Sequence, residues 1–196
     1  MKTAFQLNGY QIIRSAISNE TAKLLSTEFS IMRDVWFHNN NIDPNTIGFC
    51  NDRLVEKSFS WGCAFWSEAL LLQMLERIEE ITGKKLFPSY SYARIYYNGA
   101  EMPRHIDRPS CEFSVTMTLE IDQQPWEIYF KDRSNVEVPV ILNVGDMCIY
   151  QGSELEHWRV KYQGNKQIQV FLHYVDQSGE HAEFKYDKRV MLGLFK

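Results

Sequence analysis

No C-x-x-C pair occurs in this chain; its four cysteines, Cys50, Cys63, Cys111 and Cys148, are scattered. That excludes a zinc ribbon and a dithiol redox pair, and such lone thiols read as reduced side chains in a cytoplasm. No apolar run approaches the roughly 18 residues that a membrane-spanning helix needs. The opening MKTAFQLNGYQIIRSAIS lacks both a continuous apolar core and a cleavage signature, so it reads as folded chain. A basic stripe is missing too. Lys and Arg number 21 against 25 Asp and Glu, for a net charge of -4, which argues against a nucleic-acid partner. Neither an internal repeat nor a low-complexity segment is present, which excludes a solenoid and a long linker.

What is there suits an ordinary globular protein. At 196 residues the chain is expected to form one domain, 1–196, able to bury a core without disulfides or a structural metal. Hydrophobic residues are 44% and charged residues 23%, which excludes a disordered composition. Aromatic residues reach 14%, which suits a bulky β core or an aromatic-lined pocket.

Residues 1–85 read as helical support. GYQIIRSAI (Gly9 to Ile17) reads as a short strand. SNETAKLLSTEFSIMRD follows as a helix, capped by Ser18 or Asn19, with Ala22, Leu25, Phe29 and Met32 at helical spacing. Phe37 to Ser60 is weakly periodic, and the polar loop from His38 to Thr46 is a candidate lid. A second helix is expected from Trp66 to Thr82, with Leu71, Leu75 and Ile78 on one face, Ser67 as cap and Gly83 as terminator. From Leu86 the period changes to 2. SYSYARIYY, CEFSVTMTLEI, WEIYFKD, VPVILNV, MCIYQG, HWRVKY and QIQVFLHYV read as short strands separated by turn signals. The fold class is therefore mainly β with N-terminal helices (α+β). Residues 86–176 would form a β-sandwich or jelly roll, and the charged tail 177–196 would wrap the outside.

Within PRHIDRPSCEFSVTMTLE, His105 and Asp107 stand two apart, the spacing that shares one face of a strand. Two imidazoles and one carboxylate suit Fe(II) and leave three positions open. The pair alone says little, since five histidines among 25 acids in 196 residues make one accidental match about an even chance. His181-Ala-Glu183 is such a match, but no histidine follows it. His105 and Asp107 have two later histidines. His157 opens a strand after a turn and is the preferred third ligand; His173 sits deep in QIQVFLHYV and reads as a satisfied core histidine. An Fe(II) enzyme using 2-oxoglutarate also needs a cation for the far carboxylate. Lys166 is one candidate and Arg159, two residues past His157, is its rival; Arg94 and Arg108 are further ones. Ser114, Thr116 and Thr118 share one strand face, either lining a pocket or forming a polar exterior.

Residues 90 to 175 resemble the 2-oxoglutarate/Fe(II)-dependent dioxygenases of the prolyl 4-hydroxylase-like type, and more closely an uncharacterised bacterial and phage group among them. The resemblance is carried by Tyr96-Tyr-Asn-Gly99 followed by His105-Ile-Asp107, by Gly145-Asp146 before an apolar strand, and by His157 followed by Gly164-Asn-Lys166. It implies a double-stranded β-helix, a jelly roll, with His105, Asp107 and His157 as catalytic iron ligands. It further implies Lys166 on the distal carboxylate of 2-oxoglutarate, with Tyr96 hydrogen-bonded there. The implied reaction consumes 2-oxoglutarate and O2, with ascorbate as an optional co-reductant, releases succinate and CO2, and hydroxylates a peptidyl or small-molecule substrate. The chain departs from the pattern in two places. Lys166 falls one residue earlier than the commonest spacing, so Arg159 stays a candidate. Met102 stands where an aromatic is frequent. Two other classes compete: a jelly-roll binding or structural module with a vestigial metal site, and a cupin-type metalloenzyme that does not use 2-oxoglutarate. Cupins usually present His-x-His, against the His-Ile-Asp found here.

Overall fold

The computed structural model describes residues 3–41, 49–50, 54–123 and 125–191. A short helix, α1 (Ala4–Asn8), precedes the first strand. Thr3 and Gln6 form a capping box at its start, and Gly9 stops it in a left-handed turn. Five residues carry too little periodicity to show in sequence. The expected strand follows as β1 (Tyr10–Ile13).

Helix α2 (Asn19–Asn40) begins at Ser18, whose side chain accepts the Thr21 N–H, and ends at Asn41. It runs past the expected boundary because Phe37 is buried against Phe59, which extends the apolar face by a turn. The start of the candidate lid is thus helix, and its remainder, residues 42–46, lies outside the described residues. Helix α3 (Phe65–Thr82) ends at Gly83 as expected, but its N-cap is Ala64. Ser67 lies inside the first turn, donating to Ala64 O and hydrogen-bonding the Ser91 hydroxyl.

The strands that follow α2 are β2 (Phe49–Cys50), β3 (Ser58–Gly62), β4 (Leu86–Tyr97), β5 (Met102–His105), β6 (Phe113–Ile121), β7 (Ile128–Lys131), β8 (Glu137–Val140), β9 (Met147–Gln151), β10 (His157–Arg159) and β11 (Lys166–Asp176). They form a seven-stranded sheet in the order β1-β9-β6-β11-β4-β3-β2 and a four-stranded sheet in the order β5-β10-β7-β8. Every pairing is antiparallel except β2 with β3. This is the jelly roll expected from the sequence. Strands β2, β3 and β5 are additions; all three are short, and β5 holds no alternating pattern that would mark it.

The larger sheet has two distinct faces. On one, Val115, Met117, Val170 and Leu172 pack with Phe29 and Ile78 of the helices. Each fully buried side chain of this kind contributes about 1.5–3 kcal/mol relative to exposure. The other face turns Ser114, Thr116, Thr118, Gln169 and His173 inward, and all five are buried. Together with Tyr96, Trp126, Phe130 and Tyr150 they wall the space between the sheets.

The tail is anchored by a buried ion pair. Arg189 Nη2 donates to Glu68 Oε2 at 2.9 Å and to Ser89 O at 2.8 Å, while Glu68 Oε1 accepts from Ser91 N and Oγ. Both side chains are nearly inaccessible. Glu68→Ala leaves a buried guanidinium unpaired and is expected to cost about 3 kcal/mol in thermal unfolding. A change under ~0.5 kcal/mol would mean that the pair is solvated in solution.

Candidate metal centre

His105 closes β5 and His157 opens β10, and the two are direct partners across that antiparallel pair. Cross-strand pairing, more than sequence spacing, therefore brings the imidazoles together, with ring centroids 4.3 Å apart. Asp107 lies beyond the end of β5, where its N–H donates to Gly152 O at 2.8 Å. Its Oδ1 sits 3.7 Å from His105 Nε2 and 3.6 Å from His157 Nε2. The three donor atoms lie within 4.8 Å of one another. The expected trio converges, but His105 and Asp107 do so from a strand end and a loop.

Each histidine is fixed through its other nitrogen. His105 Nδ1 lies 2.8 Å from Pro103 O, and His157 Nδ1 lies 2.9 Å from Leu155 O. A carbonyl only accepts, so both Nδ1 atoms carry hydrogen and both Nε2 lone pairs face Asp107. Burial lowers the His157 pKa from its ordinary value and outweighs the opposing pull of Asp107. A neutral imidazole is the form that ligates a metal. The carboxylate and two neutral imidazoles match the donor set for a first-row divalent ion.

A cation lies on the same strand. Arg159 is two residues past His157, on the same side of β10, about 7 Å along it. Between them Trp158 turns outward, stacked on Tyr129 and covered by Arg104. Arg159 is 1% exposed. Its Nη1 donates to Trp126 O at 2.5 Å and its guanidinium lies over the Trp126 ring, but Nε and Nη2 are buried without a partner among the described residues. Those two atoms form one edge of the guanidinium fork, the edge that takes a carboxylate bidentately. Burial lowers the Arg159 pKa from its ordinary value, the expected sign for a cation held without an anion. Tyr96, also buried, shares the chamber; its hydroxyl accepts from Arg94 Nη1 at 2.9 Å and its ring meets Trp126 edge-on.

Lys166 is not brought to this chamber. It pairs across β4 with Tyr97, whose hydroxyl accepts from Arg33 of α2, so both stand on the helix-facing side of the sheet. There Lys166 makes an ion pair with Glu120. The inward position next to it belongs to Gln167, paired with Tyr96, buried and with an unpartnered Oε1. The one-residue displacement noted in the sequence thus changes the face of the sheet. Arg108 is likewise engaged elsewhere, bridged to Asp187 of the tail by two hydrogen bonds of 3.1 and 2.9 Å. The accidental pair separates: His181 faces Glu180, and Glu183 pairs with Lys188.

Two residues stand beside the trio in ways that sequence did not show: Ser114, read only as one of a polar face that could line a pocket, and Gly152. Ser114 Oγ lies 2.9 Å from both Asp107 Oδ2 and His173 Nδ1. Gly152 packs against the same hydroxyl and carboxylate, so that a Cβ there would come 2.5 Å from Asp107 Oδ2. Asp107, Cys111 and His173 also converge as a second group of three. Burial pushes the Cys111 thiol up to about 12, and its Sγ already meets the Tyr90 hydroxyl at 3.2 Å. It is therefore a protonated thiol, unlike the thiolate that binds metal.

The two histidines and the carboxylate come together in a jelly roll, a fold shared by solved 2-oxoglutarate/Fe(II) oxygenases. Comparison with solved structures shows the same fold in several of these enzymes, a prolyl-4-hydroxylase among them. A prolyl-4-hydroxylase from Pseudomonas putida superposes with a TM-score of 0.66 at 13% identity, covering 88% of this chain and 95% of that one. HygX from Streptomyces hygroscopicus, solved with nickel and 2-oxoglutarate, gives 0.68 at 9% identity, covering 89% and 85%. The epimerase SnoN, in complex with Fe3+, alpha ketoglutarate and nogalamycin RO, gives 0.66 at 10%, covering 89% and 81%. No family model and no curated protein matches the sequence. At such identities the likeness establishes the fold, and the chemistry rests on the residues.

Proposed function

We propose that this chain is an Fe(II)- and 2-oxoglutarate-dependent dioxygenase that hydroxylates a peptidyl or small-molecule substrate. The observation that carries the reading is the pairing of two features in one chamber: the His105, Asp107, His157 donor trio and the unpartnered Nε–Nη2 edge of buried Arg159. An unpaired buried guanidinium is costly, so the site calls for an anion. A dicarboxylate that reaches both the metal and that edge fits.

In this reading His105 Nε2, Asp107 Oδ1 and His157 Nε2 hold Fe(II). When bound, Fe(II) and 2-oxoglutarate, with O2, supply an oxidative decarboxylation that yields succinate and CO2 and hydroxylates a C–H bond. Arg159 receives the distal carboxylate on its free edge, in the role sequence spacing had offered to Lys166. The Tyr96 hydroxyl, already an acceptor from Arg94, has its hydrogen to give to the same carboxylate. Trp126 holds the guanidinium through its carbonyl and its ring face. His157 is 2% exposed, whereas the side chains of His105 and Asp107 keep 21% and 16% of their surface. Substrate therefore approaches from the His105 and Asp107 side. The cysteines Cys63, Cys111 and Cys148 are free and buried, which supports a reducing compartment such as the cytoplasm. Among the described residues no helix is long and apolar enough to cross a membrane.

The test is calorimetric titration of 2-oxoglutarate into anaerobic protein loaded with Fe(II) or Mn(II). Binding is expected for the wild type and none for His105→Ala and Asp107→Ala. No binding by the wild type, or equal binding by both variants, would remove the oxygenase reading.

A further inference from the structure

We infer that Ser114, oriented by His173, restrains Asp107 to a single metal-facing oxygen, so that the centre keeps three open positions. The inference rests on the oxygenase reading above and concerns how this chain builds its metal site.

The two oxygens of Asp107 have different surroundings. Oδ1 faces both imidazoles, at 3.7 Å from His105 Nε2 and 3.6 Å from His157 Nε2. Oδ2 faces away from them and accepts from Ser114 Oγ at 2.9 Å. A carboxylate free to rotate can chelate a cation through both oxygens. Chelation here would fill one of the positions that 2-oxoglutarate and O2 need.

Proton counting fixes the direction of the contacts. Ser114 has one hydroxyl hydrogen and, beside the Tyr150 hydroxyl, which carries a hydrogen of its own, three acceptors within reach: Asp107 Oδ2 at 2.9 Å, His173 Nδ1 at 2.9 Å and Cys111 O at 3.1 Å. If the hydrogen went to His173, Oδ2 would face hydroxyl lone pairs. If His173 Nδ1 carries hydrogen and donates to Ser114, the hydroxyl is free to donate to the carboxylate, the strongest acceptor of the three. His173 is buried, and Nδ1–H is one of the two tautomers of a neutral imidazole. The array is His173 Nδ1–H to Ser114 Oγ, and Ser114 Oγ–H to Asp107 Oδ2.

The array is also rigid. Ser114 and His173 are direct cross-strand partners of β6 and β11, in the middle of the larger sheet. The His173 ring rests on Tyr90 at 4.5 Å between centroids. Gly152 packs against Ser114 Oγ and Asp107 Oδ2 and admits no side chain. Ser114 and His173 are thus positioning residues that act through Asp107.

Co(II) is the probe, because an added ligand weakens its visible absorption. Anaerobic Co(II) titrations of wild type, Ser114→Ala and Ser114→Thr are read by affinity and by spectrum, followed by 2-oxoglutarate titration of each Co(II) form. Ser114→Ala is expected to bind Co(II) at least as tightly as wild type, with weaker absorption as Oδ2 joins the metal. Its 2-oxoglutarate affinity should fall about tenfold, at the lower end of effects for residues that orient a ligand. Ser114→Thr keeps the hydroxyl and should restore both. Identical Co(II) spectra for Ser114→Ala and wild type would overturn the inference, as would a loss of Co(II) affinity shared by both variants. A wild type that binds Co(II) but not 2-oxoglutarate would instead remove the oxygenase reading. The three spectra would still decide whether Ser114 sets the carboxylate mode.

Discussion

Arg159→Met is expected to lower the affinity of the metal-loaded protein for 2-oxoglutarate by at least 100-fold, and Lys166→Ala to leave it within twofold. Truncating one partner of a buried, hydrogen-bonded charge pair costs about 2–5 kcal/mol, and about 2.8 kcal/mol is already 100-fold. The Nε–Nη2 edge of Arg159 is buried in the chamber without a partner among the described residues. Lys166 stands on the other face of the sheet, engaged by Glu120. Arg159→Lys keeps charge without the fork and should fall between the two. The same substitution has an opposite effect on the free protein. Methionine removes an uncompensated buried cation, so Arg159→Met should raise the unfolding free energy without ligand, by about 1–3 kcal/mol. Isothermal titration of the three variants and thermal unfolding of Arg159→Met check both statements. A loss of affinity confined to Lys166→Ala would return the carboxylate to the lysine.

The choice between these two cations shows where sequence reading reaches its limit. Both were visible as basic residues at plausible distance after His157. What separates them is parity. Arg159 keeps the parity of His157 on one short strand, which the i, i+2 rule gives directly. Lys166 belongs to β11, and its face depends on where that strand starts and on a bulge opposite β6 between Ile168 and Gln169. Neither is written in composition or spacing. Once Tyr97 is seen opposite Lys166 and Tyr96 opposite Gln167, the face follows. A one-residue shift in a strand moves a side chain to the other side of the sheet.

The rest of the fold divides in the same way. Strongly periodic segments were legible: α3 and its Gly83 stop, and long strands such as β4, β6 and β11. Short elements that exist because of their partners were not. β5 has four residues, and its register with β10 is what sets His105 opposite His157. The last turn of α2 forms because Trp36 and Phe37 both find Phe59, an interaction between distant parts of the chain. The ligand types and their order were readable; the surroundings of Asp107 were not, because Ser114, His173 and Gly152 reach it through sheet register and a turn. Ser114 alternates with Phe113 and Val115, so sequence could place it on the polar face of β6 but could not say whether that face looks inward.

Gly152→Ala is expected to weaken metal binding about 100-fold and to destabilise the free protein by about 2–3 kcal/mol, a large response to one methyl group. The backbone there needs no special conformation, since Gly152 is not among the glycines with positive φ. The reason is space. A Cβ would come 2.5 Å from Asp107 Oδ2 and closer still to Ser114 Oγ and Cys111 O. Cys111 O is backbone and cannot swing aside, and Ser114 is clamped between β9 and β11. The carboxylate is the group with freedom to move, and moving it takes Oδ1 away from the two imidazoles. Gly152 O also accepts the Asp107 N–H, so a shift of residue 152 pulls on the ligand's own backbone. Mn(II) titration and thermal unfolding of Gly152→Ala, beside Gly179→Ala in the tail as a remote control, read the two effects separately. Wild-type metal affinity in Gly152→Ala would mean that Asp107 is held less tightly than the hydrogen bonds of Ser114 and His173 require. The positioning role assigned to them would then fail together with this prediction.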